Sequence, residues 1–214
     1  MKIKYLAHSA FLITTGGGVK IITDPYAVAG PFKYQPISET ADVVTVSHEH
    51  GDHNYVKAVK GNPVVLRDAG EAKGIKFKTV IAAHDEEGGS KRGQNTVFCF
   101  TVDGINICHC GDLGHIFTPE QVKALGKVDV LLLPVGGFFT IDAAAATKVW
   151  QQLKPAVTIP MHYKTEKADM PIAGVEEFTK GKMPVSFINA SEIELDKDKL
   201  PQAPQIVVLK PANF

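Results

Sequence analysis

The stretch Ser47-His48-Glu49-His50-Gly51-Asp52-His53 places three imidazoles and the Asp52 carboxylate directly after the apolar run Val43-Val44-Thr45-Val46. Four β-branched residues in succession read as a buried strand, so the fold must bring that strand's end to a pocket that tolerates this many donors. Imidazole nitrogen is the commonest protein ligand for zinc-like ions, and a neighbouring carboxylate offsets charge and leaves room for a water. His48 and His50 lie two apart and can converge on one ion from a strand-end loop, while Asp52 and His53 fall one step further round the turn, within reach of a second. Gly51 permits the tight backbone this crowding needs. At this chain's own His and Asp frequencies, a chance H-x-H-x-D-H match arises in fewer than about one chain in a thousand. The stretch reads as a metal site.

The arrangement of strand followed by donor recurs. His84 follows the strand pattern of 75–83 and is the expected third donor of the first ion. Gly111-Asp112 follows the strand pattern of 105–110, and a carboxylate on such a turn can bridge two cations because each oxygen has a lone pair to offer. His162 follows the apolar strand 156–160 and is the expected last ligand. His8 sits at the first break between strands, where a hydrogen-bonded structural role competes with a role in the site. Asp24, before Pro25, either orients a metal-bound imidazole or makes an Asx-type turn. His115 is ambiguous in the same way.

The rest of the chain reads as a mixed α/β protein. Segments 1–6, 9–14 and 19–23, with Gly16-Gly17-Gly18 as a hairpin, predict an opening antiparallel meander. Residues 26–39 are too rich in proline and glycine for a regular element and too apolar for a linker, which suits a loop flanking the pocket. Tyr55, Val56 and Val59 give 54–60 the spacing of a short helix, and 63–66 returns to strand character. Residues 85–93 form either a solvated turn or a segment whose Lys91 or Arg92 holds an anionic substrate. Asp103-Gly104 marks a type I′ hairpin between strands 96–102 and 105–110. Beyond Thr118 helix and strand alternate: a helix to Gly126, a strand at 129–135, a helix capped by Asp142, the strand 156–160, a helix around Phe178 and a closing strand at 206–209. One domain over 1–214 is expected.

Charge narrows the function classes. Lys and Arg together number 23, as do Asp and Glu, so a nucleic acid polymer is not an expected partner, whereas a basic pocket for one anionic group is compatible. No apolar run approaches the ~18 residues of a membrane span, and the amino terminus alternates like a strand instead of carrying a signal-peptide core, so a cytoplasmic protein is expected. Three cysteines, Cys99, Cys108 and Cys110, are too few for a disulfide framework and read as structural thiols.

His48-x-His50-x-Asp52-His53, then His84, Gly111-Asp112 and His162, resemble in order and placement the metallo-β-lactamase superfamily, over nearly the whole chain. His-Ser-Ala-Phe at 8–11, Pro-Val-Gly-Gly-Phe at 134–138 and Ile-Pro-Met-His-Tyr at 159–163 are similar to its branch of small metal-dependent hydrolases, which includes ascorbate-6-phosphate lactonase and N-acylphosphatidylethanolamine phospholipase D. The resemblance implies a four-layer αβ/βα sandwich with the site along one edge. It implies two divalent ions, with zinc expected and manganese, iron and nickel compatible with the same donors: His48, His50 and His84 on one, Asp52, His53 and His162 on the other, Asp112 shared. Two such ions about 3.5 to 4 Å apart generate a hydroxide and polarise an electrophile, which implies hydrolysis of a small-molecule phosphodiester, lactone or other ester. Asp52 then orients the nucleophile and accepts its proton, His115 or His8 protonates the leaving group, and His8 and Tyr163 contact substrate. The alternatives are a metal-binding sensor or scaffold without turnover and a mononuclear iron oxygenase; the oligomeric state, homo-oligomer or monomer, stays open.

Overall fold

A computed structural model describes all residues, 1–214. In chain order the strands are β1 (Lys2–Ala7), β2 (Ala10–Thr14), β3 (Lys20–Thr23), β4 (Val43–Thr45), β5 (Val64–Leu66), β6 (Gly70–Ala72) and β7 (Ile75–Ala83). They continue with β8 (Gln94–Val102), β9 (Ile105–His109), β10 (Val130–Pro134), β11 (Val157–Met161), β12 (Val185–Phe187), β13 (Glu192–Glu194) and β14 (Gln205–Val208). Two sheets result, ordered β13-β1-β2-β3-β4-β5 and β12-β14-β11-β10-β9-β8-β7-β6.

Period-two alternation gives the first sheet two apolar faces. Ile3, Tyr5, Phe11, Ile13, Ile21 and Val43 point into the core shared with the second sheet, where Phe98, Phe100, Ile107 and Leu132 meet them. Leu6, Ala10, Ile22 and Val44 point the other way into a separate apolar cluster. The second sheet's central strands β10 and β11 are buried at every position, as strands covered on both faces are.

Helices cover the outer side of the second sheet. Thr118 caps α1 (Pro119–Leu125) through a reciprocal capping box with Gln121, and Asp142 caps α2 (Ala143–Leu153) by accepting the Ala145 N–H at 2.8 Å. With α3 (Val175–Thr179), these helices bury Leu125, Ala146, Val149 and Phe178 against that sheet's apolar residues.

The first sheet's outer side is covered differently. Tyr26, Phe32, Tyr34 and Ile37, together with Ala168, Met170 and Ile172, pack over Leu6, Ile22 and Val44 from segments that are not helical. Pro25, Pro31 and Pro36 deny this stretch a helix, so its aromatic rings supply the cover and its polar ends are tied down individually. Tyr26 Oη donates to the Gln35 carbonyl at 2.9 Å, and Tyr34 Oη lies 2.6 Å from Thr165 Oγ1. The fold is the αβ/βα sandwich, with an aromatic loop doing much of the work of one helical layer.

One expectation needs correcting, and three short strands go unanticipated. The helix expected over 54–60 is only a 3₁₀ turn, Val56–Ala58, because an aromatic and β-branched segment has weak helix propensity and its ends are held by other backbone: Tyr55 N–H bonds Pro25 O and Lys60 N–H bonds Glu39 O. The short β12 and β13 are not anticipated, and neither is β6; three residues each are too few to show a period. The meander, the type I′ turn with positive φ at both Asp103 and Gly104, and the later helix–strand alternation are all present. All three cysteines are free thiols, with Cys108 and Cys110 buried. No helix is long and apolar enough to cross a membrane.

The pairing directions decide where the site lies. β1, β3 and β4 run the same way in the first sheet, and β7, β9, β10 and β11 run the same way in the second. Each set therefore delivers its carboxyl ends to one edge of its sheet. At that edge His162 N–H donates to His8 O at 2.9 Å, and Thr96 N–H donates to Ser47 O at 2.8 Å, stitching the two sheets together.

Phe11 is fully buried between the sheets and stacks on Tyr5 with ring centroids 4.9 Å apart. Phe11→Ala is expected to lower the metal-free unfolding free energy by about 3–5 kcal/mol in urea titration, against less than about 1 kcal/mol for a substitution at exposed Lys2.

Candidate metal centre

Every candidate donor follows the carboxyl end of a strand: His8 after β1, residues 47–53 after β4, His84 after β7, Asp112 after β9 and His162 after β11. Asp24 follows β3 in the same way. His8, Asp24 and His162 have φ of 56°, 38° and 50°, left-handed backbone that costs a non-glycine residue of order 1–3 kcal/mol and persists only where its surroundings dictate it. Those surroundings include the inter-sheet bond from His162 to His8 and the bond from Asp24 N–H to Thr45 O at 2.9 Å. Gly111, at φ 53°, has no room for a side chain: a Cβ there would stand 2.3 Å from Asn95 Oδ1 and 2.5 Å from Ser47 Cβ.

Besides the set Asp24, His48 and His53, two donor groups form. His48, His50 and His84 offer nitrogens that all lie within 4.8 Å of one another, and so do the donor atoms of His8, Asp52, His53 and His162. Asp112 stands between them. Its Oδ2 is 3.3 Å from His84 Nε2, 3.4 Å from His162 Nε2 and 3.8 Å from His48 Nε2, while Oδ1 is 3.2 Å from His53 Nε2.

The hydrogen bonds behind the rings determine which nitrogens are bare. Asp24, fully buried, accepts Ser47 N–H at 2.7 Å, Ser47 Oγ–H at 2.6 Å and His53 Nδ1–H at 2.9 Å. Because the Ser47 proton goes to Asp24, Ser47 Oγ is left to accept His48 Nδ1–H at 2.9 Å. Both imidazoles are therefore held in the tautomer that leaves Nε2 as a lone pair, and both lone pairs face Asp112. Asn95 fixes the backbone turn that carries the carboxylate: its Oδ1 accepts Asp112 N–H at 2.9 Å and its Nδ2 donates to Cys110 O at 2.8 Å.

Lone pairs facing a carboxylate repel unless a cation lies between them. His48 Nε2, His53 Nε2, His162 Nε2 and Asp112 Oδ1 are buried atoms without a hydrogen-bond partner, and such atoms cost free energy unless satisfied. Titration directions tell the same story. Burial would depress His53, but Asp112 and Asp52 outweigh it and push the imidazole well above its ordinary range, marking a place that calls for positive charge. Burial, reinforced by His53, takes His48 down to about 3, so it is a neutral donor at neutral pH. Asp112 is held well below the usual carboxylate range, its burial outweighed by His162 and His53. The donor set suits divalent ions of the nitrogen- and oxygen-loving kind.

Two expected site residues do not join the group. His115 Nδ1–H donates to Ile116 O at 2.8 Å and its Nε2 accepts Ala83 N–H at 3.1 Å, so both ring nitrogens are committed to backbone and none can serve a leaving group. Tyr163 is buried in the core against Tyr5 and donates to Leu209 O at 3.3 Å, away from the cavity. His8, by contrast, is drawn in more closely than a turn histidine need be: its Nε2 is 3.2 Å from Asp52 Oδ2 and its ring centroid 4.2 Å from that of His162. Asn95 is a residue that sequence reasoning misses, although a buried asparagine at a strand start was there to be noticed.

A cavity of about 590 Å³ opens over both groups. His50, His84, Asp52, Asp112 and His162 form its polar floor, and Ala27, Ala29, Pro31, Phe32, Arg92, Phe139 and Met170 line its walls. The 26–39 loop thus has two jobs, covering the first sheet and walling the cavity.

Asp24→Ala removes the acceptor that fixes His53 and Ser47. It is expected to weaken zinc binding about 10–100-fold in a competition titration against a chromophoric chelator while the far-ultraviolet circular dichroism is retained. Unchanged affinity would contradict the tautomer argument.

Comparison with known proteins agrees with this geometry. Residues 2–162 match the family model described as a beta-lactamase superfamily domain. A UPF0173 metal-dependent hydrolase of Pyrococcus abyssi is 33% identical over 215 residues, covering 84% of this chain and 91% of that protein. One from Carboxydothermus hydrogenoformans is 32% identical over 198 residues, covering 77% of this chain and 85% of its own length. A crystal structure from Thermotoga maritima, described as that of a candidate zinc-dependent hydrolase of the metallo-beta-lactamase superfamily, superposes with a TM-score of 0.79 at 37% identity over 97% of both chains. With its donors gathered at one edge of an αβ/βα sandwich and these relatives over most of its length, the chain belongs to the UPF0173 metal-dependent hydrolases of the metallo-β-lactamase superfamily.

Proposed function

We propose that the chain hydrolyses an ester-type bond, in a phosphodiester, lactone or other ester, at a centre of two divalent ions. The observation that carries this reading is the position of Asp112, whose two oxygens lie 3.2–3.8 Å from imidazoles of both donor groups. His48, His50 and His84 would hold one ion; Asp52, His53 and His162 would hold the other; Asp112 would serve both. Zinc is the expected metal for this set, and when bound such ions supply Lewis acidity that eases ionisation of water and polarises the oxygen of the bond to be broken.

The protein's own groups do the rest. Asp52 is about a quarter exposed at the cavity floor, where it can meet solvent, whereas Asp112 is buried. Burial would raise the Asp52 carboxyl, but the His53 ring and the His8 hydrogen bond outweigh it and hold it below the usual carboxylate range. It is therefore ionised at neutral pH and oriented to accept a hydrogen bond from the attacking water. Burial, together with His162, brings His8 down to about 4, so at neutral pH its ring is neutral and its Nε2–H donates to Asp52 Oδ2 at 3.2 Å. His8 thus fixes the Asp52 carboxylate, and of the two imidazoles expected to serve proton transfer, His8 and His115, it is the one whose ring reaches the centre. The cavity volume suits a small-molecule substrate.

Chelation followed by metal replacement tests the reading. Hydrolysis of bis(4-nitrophenyl) phosphate or a 4-nitrophenyl ester is expected to be lost on chelator dialysis and restored by zinc or manganese. Metal-loaded Asp52→Asn is expected to be about 10²–10⁴-fold slower. Chelated protein working at the untreated rate, or Asp52→Asn matching wild type, would overturn the proposal.

A further inference from the structure

The cavity over the proposed metal centre has one cationic side chain in its lining, Arg92. It is half-buried, and its guanidinium makes no hydrogen bond or ion pair within the chain, whereas neighbouring Lys91 pairs with Glu87 and Arg67 pairs with Glu49 at 2.7 Å. The two carboxylates in the cavity lining, Asp52 and Asp112, are both engaged by imidazoles instead.

The guanidinium is nevertheless held in place. Its carbon lies 5.6 Å from the centre of the Phe139 ring, a cation–π contact that restrains the side chain without using its N–H groups in hydrogen bonds. Its backbone is fastened too. The Asp85 carboxylate accepts four N–H groups, from Glu87, Gly89, Lys91 and Arg92, at 2.8–2.9 Å, closing the 85–92 loop onto the residue next to His84. Arg92 also shares the walls of two adjoining depressions, one with His84 and one with His48 and His50, which places it on the side of the first donor group. The rest of the wall is apolar: Ala27, Ala29, Pro31, Phe32, Phe139 and Met170.

We infer that Arg92 forms an oxyanion subsite, and that the substrate carries a carboxylate or phosphate joined to its scissile bond by an apolar segment lying along Phe32, Phe139 and Met170. This deepens the hydrolase reading of the same cavity and rests on it. A planar guanidinium with a free edge takes a carboxylate or phosphate through two parallel N–H bonds, and an apolar wall beside it rewards a hydrocarbon spacer. A neutral polar substrate would leave the cation unanswered.

The test uses metal-loaded full-length protein and matched esters: 4-nitrophenyl hexanoate, the 4-nitrophenyl monoester of adipic acid, and an analogue ending in phosphonate. Wild type is expected to favour one or both anionic esters over the neutral one at least about tenfold in kcat/KM, mainly through KM. Arg92→Gln is expected to bring that ratio to within about twofold of one, and Arg92→Lys to leave an intermediate value, since an ammonium is a point charge without the fork. Which anionic ester gains separates carboxylate from phosphate recognition. A second arm needs no turnover: free adipate is expected to raise the Tm of metal-loaded wild type and not that of Arg92→Gln. A ratio or a Tm shift that is the same in wild type and Arg92→Gln would overturn the subsite, even if hydrolysis proceeds. An Arg92-dependent Tm shift with no ester hydrolysed would support the subsite and count against the hydrolase reading.

Discussion

The structure turns on one electrostatic conflict. Asp112 presents two oxygens to His48, His53, His84 and His162, and for at least His48 and His53 the ring proton is already spent on Ser47 and Asp24, so a bare lone pair meets a carboxylate. A folded chain tolerates such an arrangement in its interior only when positive charge lies between the facing atoms. Asp24, Ser47 and Asn95 are buried and, through their hydrogen bonds, hold that conflict in place. The metal requirement is therefore built into the hydrogen bonds behind the donors as much as into the donors themselves.

Topology explains how a chain can collect these groups from positions as distant as His8 and His162. Parallel relationships within each sheet send the relevant strand ends to one edge, and the backbone bond between those two residues closes the sheets there. Left-handed backbone at His8, Asp24 and His162 turns each chain segment sharply as it leaves its strand, aiming the side chain inward rather than along the strand. Gly111 lets Ser47 and Asn95 approach the turn that carries Asp112. Strain is thus concentrated where the chemistry is, and the aromatic and aliphatic cores pay for it elsewhere.

Much of this was legible in the order of residues. The seven expected donors were recognisable because each is a short polar interruption directly after a strand-like apolar run, and the repeated theme is a property of the chain rather than of its contacts. The helices over 119–125 and 143–153 were legible from Thr118, Pro119 and Asp142, which announce helix starts chemically. What escaped had no local signature. His8 and His115 are both single histidines at turns, and only the packing shows that one touches Asp52 while the other is spent on the backbone. Tyr163 adjoins His162 in sequence yet points into the core, because the chain turns sharply at left-handed His162 and the Tyr163 ring packs near Tyr5. The outer cover of the first sheet was hidden for a related reason: proline-rich 26–39 forms no element whose period could be read, although its rings pack as a helix face would.

The position of bound metal tests the account most directly. Crystals of zinc-loaded protein, measured on both sides of the zinc absorption edge, are predicted to show two anomalous peaks flanking Asp112, one among His48, His50 and His84 and the other beside Asp52, His53 and His162. A single peak, or peaks away from Asp112, would contradict it.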